Sequence, residues 1–490
     1  MNCSLSWRRL TLIFLAIAST TTLCGCPDKS VVPDSKASTP AKTQPLVLLV
    51  VDDPQYGEAV AREWRARTEQ ELTVRTATTS DISTAKRLPA DCVVFPTGMI
   101  GQLAERGLIA PLEKTGLENS DFNYRDIFDQ LRLREMKWGD KTFAATLGSP
   151  QLLLAYRADI FDKLQLTPPT TWTAYQHAVA KLTDRSALGD LAPPTDQPWQ
   201  AAQEPLAEGW AGQLLLARAA AYALHRDQVS PLFRFDSLTP LIDQPPYVRA
   251  LNELVAAKKA SPPSEHRPTP SAAFAALRAG SCAVALTWPA PEPTGGGGPH
   301  PGNSNPLDQQ IRFALLPGAT QAYRFATKSW ENRVDDENMS VPTLAICGRM
   351  AAVSATTSEP QRAENFVLWL ASREVSDQVG PHSSAATLFR NSQLATSGRW
   401  TGGLAPEASR HYAEQLAQSL NLPRAFPGLT IPGRAQYLAA LDKAVDDALG
   451  GKASADCLAT AAKAWTAITS ELGLAEQQRA NAKSLGQTVP

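Results

Sequence analysis

The stretch GSPQLLLAYRADIFDKLQLTPPTTW, residues 148–172, decides the fold because it changes structural type several times within a short distance. A turn of small residues leads into the apolar run 152–156, which is short enough for a buried strand. Apolar residues then return at helix spacing as far as Leu164. The segment 167–170, TPPT, ends that helix because proline cannot continue one. Thr171 can then cap the next helix.

Three apolar runs earlier in the chain alternate with segments that have helical periodicity. We predict strands at 46–51, 72–74 and 91–95, with helices between them at 56–68 and 79–88. The first run, LVLLVV, is apolar at every position, which is typical of a strand that is covered on both faces. The alternation of strands and helices therefore predicts an α/β fold with a parallel layer.

Polar residues end two of these predicted strands. Asp52 and Asp53 follow the first strand, and the turn Pro96-Thr97-Gly98 follows the third. Ligands of parallel sheets bind beyond the carboxyl ends of the strands. We therefore expect Asp53 and Thr97 to face a ligand site.

The order of the motifs along the chain resembles a known family. The segments 93–113 (VVFPTGMIGQLAERGLIAPLE), 148–172, 274–289 (FAALRAGSCAVALTWP) and 437–472 follow the pattern of family 1, carbohydrate-type solute-binding lipoproteins of bacterial ABC importers. This family includes maltose-binding protein. The resemblance covers nearly all of residues 46–482. It implies an α/β, two-lobed periplasmic-binding-protein fold of type II, in which each lobe is a mixed sheet flanked by helices.

The resemblance also implies where the chain passes between the lobes. Three crossings, near Pro150, Pro317 and Pro381, would form a hinge. The implied boundaries are residues 46–150 with 317–382 for lobe 1, 151–316 with 383–482 for lobe 2, and 483–490 for a tail.

Further candidate ligand residues follow from the resemblance. The first crossing passes under the ligand in this family, which implies ligand-facing roles for Ser149 and Tyr156. Glu204 begins a Glu-Pro pair that faces the sugar in maltose-binding protein. The match is partial, because Leu206 stands where an aromatic residue is expected.

Tryptophan residues give an independent indication of the ligand class. Trp288 and Trp330 lie in turn-rich contexts, and Trp210 begins a helix, whereas Trp64 and Trp369 have the helix spacing of core residues. Sugar rings stack their C–H faces on aromatic side chains, and their hydroxyl groups require polar partners. We interpret Trp210, Trp288 and Trp330 as ligand-binding candidates, the alternative being packing in the core or between the lobes.

The N-terminal segment carries the pattern of a processing signal. A pair of arginines precedes the apolar run 10–18, which is too short to span a bilayer. The sequence LCGC at 23–26 resembles a lipobox, so residues 1–25 are interpreted as a signal peptide and Cys26 as the lipidated N-terminus. Residues 26–45 are predicted to be a disordered tether. An exported lipoprotein anchored in a membrane is therefore expected, facing the periplasm or cell exterior; the alternative is a plain secretory signal.

Cysteine and histidine give no sign of a metal site or a cofactor. Cys92, Cys282, Cys347 and Cys457 remain in the predicted folded region, where they could pair as disulfides or remain buried thiols. The apolar strands around Cys92 and Cys347 favour thiols. The sequence contains 6 histidines, and no two of them have metal-ligand spacing. Neither a metal nor a cofactor is expected.

Composition and motifs narrow the functional classes. The formal net charge of −1 gives no basic excess for nucleic acid. No HExxH, GxSxG or Walker motif is present. With the resemblance, this predicts a monomeric binding protein, not an enzyme, that captures a sugar or oligosaccharide between two lobes and delivers it to the permease subunits of an ABC importer. Two alternatives remain: a secreted lipoprotein hydrolase acting on glycosides, and a binding protein that has lost transport and acts as a sensor.

Overall fold

A computed structural model describes residues 44–260, 267–289 and 305–487 of the chain. The predicted signal peptide and the lipidation candidate Cys26 lie outside these residues. The strands are β1 Leu46–Val51, β2 Leu72–Ala77, β3 Cys92–Pro96, β4 Ile109–Ala110, β5 Lys137–Trp138, β6 Lys141–Thr142, β7 Ala145–Thr146, β8 Leu153–Arg157, β9 Gln200–Gln203, β10 Cys282–Thr287, β11 Ile311–Ala314, β12 Gln321–Arg324, β13 Ser329–Asn332 and β14 Arg349–Ser354.

Helices cover both sheets. They are α1 Pro54–Thr68, α2 Thr79–Thr84, α3 Ile100–Glu105, α4 Lys114–Leu117, α5 Ala158–Lys163, α6 Trp172–Leu182, α7 Arg185–Leu188, α8 Ala211–Ala223, α9 Pro245–Ala260, α10 Pro270–Arg278, α11 Pro360–Leu370, α12 Arg373–Val379, α13 Pro406–Leu420, α14 Arg434–Leu449, α15 Ser454–Glu471 and α16 Leu474–Ser484. Across the described ranges, none of these helices has the length and apolar character needed to cross a bilayer.

The first sheet contains the predicted parallel layer. Its strand order is β2-β1-β3-β14-β4, with β7 also paired to β14. Strand β1 is parallel to β2 and β3, whereas β14 is antiparallel to β3. The start of β14 therefore lies at the same edge as the carboxyl ends of β1 and β3. Helices α1 and α11 pack on this sheet. The apolar LVLLVV run forms β1, and five of its six residues are buried, as expected for a central strand.

The second sheet is smaller and is centred on the strand that the sequence predicted at 152–156. Its order is β11-β8-β10-β9. Strand β8 pairs antiparallel with both β10 and β11, and β10 is parallel to β9. Helix α10 packs on β10, and the helices α8, α9, α14 and α15 pack against one another beside them.

The first crossing leaves the first sheet at Gly148 with φ +117°, a conformation that favours glycine. A Cβ atom at this position would collide with the backbone of Thr387, which lies in the segment predicted as the third crossing. The amide nitrogen of Arg349 also donates to the carbonyl of Gly148, at 3.0 Å. The segments predicted as the first and third crossings and the start of β14 are thus close to one another through their backbones.

Two segments that the sequence interpretation assigned to lobe 2 or to the tail also contact the first-sheet side. The guanidinium of Arg390 donates to the carbonyls of Phe122 and Ala371, at 3.0 and 2.8 Å. Helix α16 contacts α3 and β5, and Lys483 near its end pairs with Glu105 at 2.7 Å. These contacts tie the C-terminal part of the chain to the elements of the first sheet.

Candidate functional site

The carboxyl end of β1 is tied to two distant segments through Asp53. One carboxylate oxygen of Asp53 accepts a hydrogen bond from the Tyr56 amide and caps α1. The other pairs with Nε of Arg349 at 3.3 Å and accepts a hydrogen bond from the Ser383 hydroxyl. Arg349 also donates to the carbonyl of Asp52, at 3.2 Å. The predicted residue Asp53 therefore joins β1, β14 and the third crossing.

Thr97 lies beside this group, at the carboxyl end of β3. Its amide donates to the carbonyl of Gly348 at 3.1 Å, and Gly348 has φ +134°. A Cβ atom at Gly348 would lie 2.5 Å from the Thr97 hydroxyl oxygen and 2.7 Å from the Gly148 carbonyl oxygen, so only glycine fits. The Thr97 hydroxyl is buried and has no hydrogen-bond partner among the described residues. It is a polar group that a ligand hydroxyl could satisfy.

Ser149 connects the first crossing to a buried acid that the sequence interpretation did not single out. Its hydroxyl donates to Oε1 of Glu135 at 2.8 Å, and the amide of Ala345 donates to the same oxygen at 2.6 Å. Burial raises the pKa of Glu135 to about 7, and these two hydrogen bonds oppose that rise. Glu135 ends a π-helix, Leu131–Glu135. The charged residues of this stretch predict solvent exposure, so the sequence does not mark Glu135 as buried.

The second sheet contributes two aromatic side chains. Trp288 follows β10 directly, and Trp210 precedes α8. Their ring centroids lie 5.6 Å apart with an interplanar angle of 52°. Nε1 of Trp288 donates to the carbonyl of Ser384 at 3.4 Å, so Trp288 reaches the third crossing from the second sheet as Asp53 does from the first. Trp288 is only 2% exposed, whereas Trp210 is half-buried.

Arg434 at the start of α14 also contacts residues of this region, although the sequence analysis did not predict it as a site residue. Its Nη2 donates to Oε1 of Gln213 in α8 at 3.0 Å and to the carbonyl of Ala345 at 2.7 Å. Gly98 makes room for the guanidinium, since a Cβ atom there would collide with it. Burial lowers the pKa of Arg434 to about 10. We call the set Asp53, Thr97, Ser149, Trp210, Gln213, Trp288 and Arg434 the interlobe junction.

The other three predicted site residues are engaged elsewhere. Glu204 accepts hydrogen bonds from Arg218, at 2.8 and 2.7 Å, and from the Tyr175 hydroxyl, at 2.8 Å, in a buried cluster between α6 and α8. Tyr156 lies in β8, where it pairs with Val284 of β10 and Arg312 of β11. Its ring packs against Phe161 at a centroid distance of 4.7 Å, and burial raises the pKa of its hydroxyl. Trp330 lies in the β12–β13 hairpin and packs edge-on against Tyr222 and Tyr323, at 5.9 and 5.3 Å.

A cavity of about 290 Å³ lies next to the interlobe junction. Glu135 and Ala345 connect the two, because both line the cavity and both are within one hydrogen bond of a junction residue. Its walls come from α3, the π-helix, the loops near residues 224–229 and 424–430, and the C-terminal end of α16. The charged lining residues are Arg134, Glu135, Lys137 and Arg424. We call this space the basic cavity.

Cys92, Cys282, Cys347 and Cys457, the cysteines of the described ranges, are free thiols. Burial raises the pKa of each of these thiols, so they have the character of packed core groups. Within residues 44–260, 267–289 and 305–487, no group of His, Cys, Asp and Glu is arranged to hold a metal ion.

Two solved structures with the same architecture are solute-binding proteins. An ABC transporter solute-binding protein from Agrobacterium vitis S4, with bound D-mannitol, superposes with a TM-score of 0.61 at 17% sequence identity, covering 87% of this chain and 99% of that chain. A second, from Agrobacterium radiobacter K84 in complex with ribitol, gives 0.61 at 18% identity, covering 87% and 98%. The fold is therefore the two-lobed α/β fold of solute-binding proteins, as predicted.

The family assignment follows from the sequence itself. The model of the family described as bacterial extracellular solute-binding protein matches residues 54–376. The chain belongs to this family, as the motif order predicted, and membership implies an exported protein. A search of curated proteins finds no match.

Proposed function

We propose that this protein is a lipid-anchored receptor that captures a neutral polyol or sugar at the interlobe junction and delivers it to the permease of an ABC importer, without converting it chemically. The family match over residues 54–376 carries the proposal. The sugar alcohols bound by the two structural neighbours indicate the solute class.

The chemistry of the junction suits such a solute. Trp210 offers a half-exposed aromatic face to C–H groups, with the buried Trp288 packed against it, and the unpartnered hydroxyl of Thr97 offers a hydrogen bond to a solute hydroxyl. These groups come from different sheets, so a solute that contacts both binds the closed arrangement best. Solute would therefore shift the population toward closure by hinge motion.

We further propose that the lobes have the boundaries given by the resemblance, with 46–150 and 317–382 in one lobe and 151–316 and 383–482 in the other. The contacts of Arg390 with the first-sheet side support a refinement in which part of the segment after the third crossing moves with lobe 1. Radius of gyration from small-angle scattering should fall when solute saturates the protein. An unchanged profile would contradict hinge closure.

Membrane anchoring through Cys26 completes the proposal. The LCGC sequence at 23–26 and the Pro- and Ser-rich tether after it support a lipidated N-terminus followed by a flexible spacer. A Cys26→Ala variant should be lost from the detergent-extracted membrane fraction. Retention at the wild-type level would contradict the anchor.

The glycosidase alternative receives no support from the acids of the described site. A glycosidase requires two carboxyl groups that face one cleft. Asp53 is paired with Arg349, and Glu204 is paired with Arg218.

Solute binding can be tested with a matched pair of tryptophan variants. Mannitol and ribitol should raise the melting temperature of the wild-type protein. Trp210→Ala should weaken the binding of the same solute by about 1–3 kcal/mol, measured by isothermal titration calorimetry, because a stacking face is lost. Trp330→Ala, which removes a similarly half-buried ring from the β12–β13 hairpin, should leave the affinity unchanged. If no polyol or sugar binds, or if only Trp330→Ala weakens binding, the proposed site is wrong.

A further inference from the structure

The basic cavity is a space built by segments from both ends of the chain. Ile100, Arg134 and Glu135 line it together with the loops near residues 224–229 and 424–430 and the end of α16. Its volume of about 290 Å³ is close to the lower end of the range for small-molecule sites. The cavity therefore has room for a small organic ligand.

The charges around the cavity are unbalanced. Arg134, Lys137 and Arg424 line it together with one acid, Glu135, which gives a net charge of +2 even when that acid is ionised. The side chains of Arg134 and Lys137 have no hydrogen-bond or ion-pair partner within the described ranges. Arg134 is also close enough to Arg424 to oppose its protonation.

Arg424 is the fixed member of the cationic group. Its Nη2 donates to the carbonyls of His225 and Gln228, at 2.9 and 3.1 Å, which holds the loop near residue 424 against the loop near residue 228. Glu337 and Asp227 attract it electrostatically, and neither of these acids lines the cavity. Arg424 thus has internal partners, whereas the exposed Arg134 and half-buried Lys137 line the cavity without a partner in the described chain.

Glu135 does not neutralise these cations. Its Oε1 is occupied by the Ser149 hydroxyl and the Ala345 amide, and its Oε2 is buried without a partner among the described residues. The acid is therefore directed to Ser149 and to the backbone of Ala345, and within the described ranges it forms no ion pair with Arg134 or Lys137.

From this arrangement we infer that the basic cavity is a binding site for a small organic anion, carrying a carboxylate or a phosphate group, that pairs with Arg134 and Lys137. Arginine and lysine at the mouth of a partly enclosed space attract such groups and bind them with charge-assisted hydrogen bonds. The site is separate from the neutral-solute site proposed at the junction, and it does not depend on that proposal.

The test uses the full mature protein and compares two double variants. D-gluconate and D-glucose 6-phosphate serve as carboxylate and phosphate probes, and isothermal titration calorimetry at pH 7.5 and low ionic strength measures their affinity. At least one anion should bind the wild type, and Arg134→Gln/Lys137→Gln should weaken it at least tenfold. The control Lys86→Gln/Arg87→Gln removes the same charge from an exposed segment outside the cavity and should retain wild-type affinity.

The two anions distinguish which acidic group the site accepts. The inference is overturned if neither anion binds the wild type, or if both double variants weaken binding equally, which would indicate an effect of net charge alone. Mannitol affinity, measured in parallel, reports on the junction. Loss of mannitol binding in Trp210→Ala with unchanged anion binding would support separate sites. If mannitol does not bind the wild type, the anion titrations alone decide whether the anion site exists.

Discussion

The interlobe junction and the basic cavity lie side by side, but they differ in whether their charged side chains have partners within the protein. At the junction, Asp53 is paired with Arg349 and Ser383, and Arg434 is held by an amide oxygen and a carbonyl. In the cavity, Arg134 and Lys137 have no partner in the described chain. The difference indicates that junction charges hold segments of the fold together, whereas the charges of Arg134 and Lys137 are not used in this way within the described chain.

The largest expected effect concerns the packing of the junction. Trp288 is 2% exposed and packs against Trp210, so Trp288→Ala should reduce the free energy of unfolding by about 3–5 kcal/mol, measured by urea denaturation without ligand. Arg134→Gln in the cavity wall should change it by less than about 0.5 kcal/mol, because that side chain is exposed. A loss below about 1 kcal/mol for Trp288→Ala would mean that the ring supports no core, and would favour a purely ligand-facing role.

The second effect tests the acid that connects the two regions. Burial raises the pKa of Glu135 to about 7 from 4.5. Between these values the folded state retains a proton that the unfolded state has lost, so the free energy of unfolding should fall as the pH rises from about 4.5 to 7. The contribution is about 3 kcal/mol, and it should level off above the folded-state pKa.

Glu135→Gln provides the matched control for that pH dependence, because glutamine keeps an oxygen that can accept from the Ala345 amide. Urea denaturation of both proteins at a series of pH values should show the fall in the wild type, and a shallower fall in the variant. Parallel curves would contradict a raised pKa at Glu135.

The smallest effect concerns the ion pair at the end of β1. Asp53→Asn keeps an N-cap for α1 but removes the charge opposite Arg349, so it should cost about 1–2 kcal/mol of unfolding free energy. Glu71→Gln removes the partner of Arg65 in an exposed ion pair, where both side chains are more than half exposed, and should cost less than about 0.5 kcal/mol. Equal losses in denaturant unfolding would contradict a structural role for the Asp53 pair.

Local sequence patterns were sufficient for the main elements of the fold. The wholly apolar run at 46–51 is β1, and the run predicted at 152–156 corresponds to β8 at Leu153–Arg157. The sheet-edge argument placed Asp53 and Thr97 at the ends of β1 and β3, where the structure also has them. These features depend on neighbouring residues in the chain, which is why periodicity and turn chemistry detect them.

The other residues of the junction depend on contacts between distant parts of the chain. Glu135 is fixed by Ala345, and Arg434 by Gln213, so no local pattern marks either residue. Glu204 shows the converse, since its Glu-Pro motif suggested a sugar contact while Arg218, from a helix further along the chain, engages its carboxylate. The tertiary fold determines which residues that are distant in the sequence become partners.

The glycine at the first crossing has a consequence for how the two halves can move. Gly148 lies so close to Thr387 that no side chain fits between the two backbones. Segments in such direct contact act as a pivot, because they can turn about the contact but cannot slide past each other without breaking it. In the hinge closure proposed above, the axis of opening would lie near Gly148, and the displacement of the two halves would grow with distance from it. Residues at the pivot would keep their spacing, whereas groups farther out would move the most.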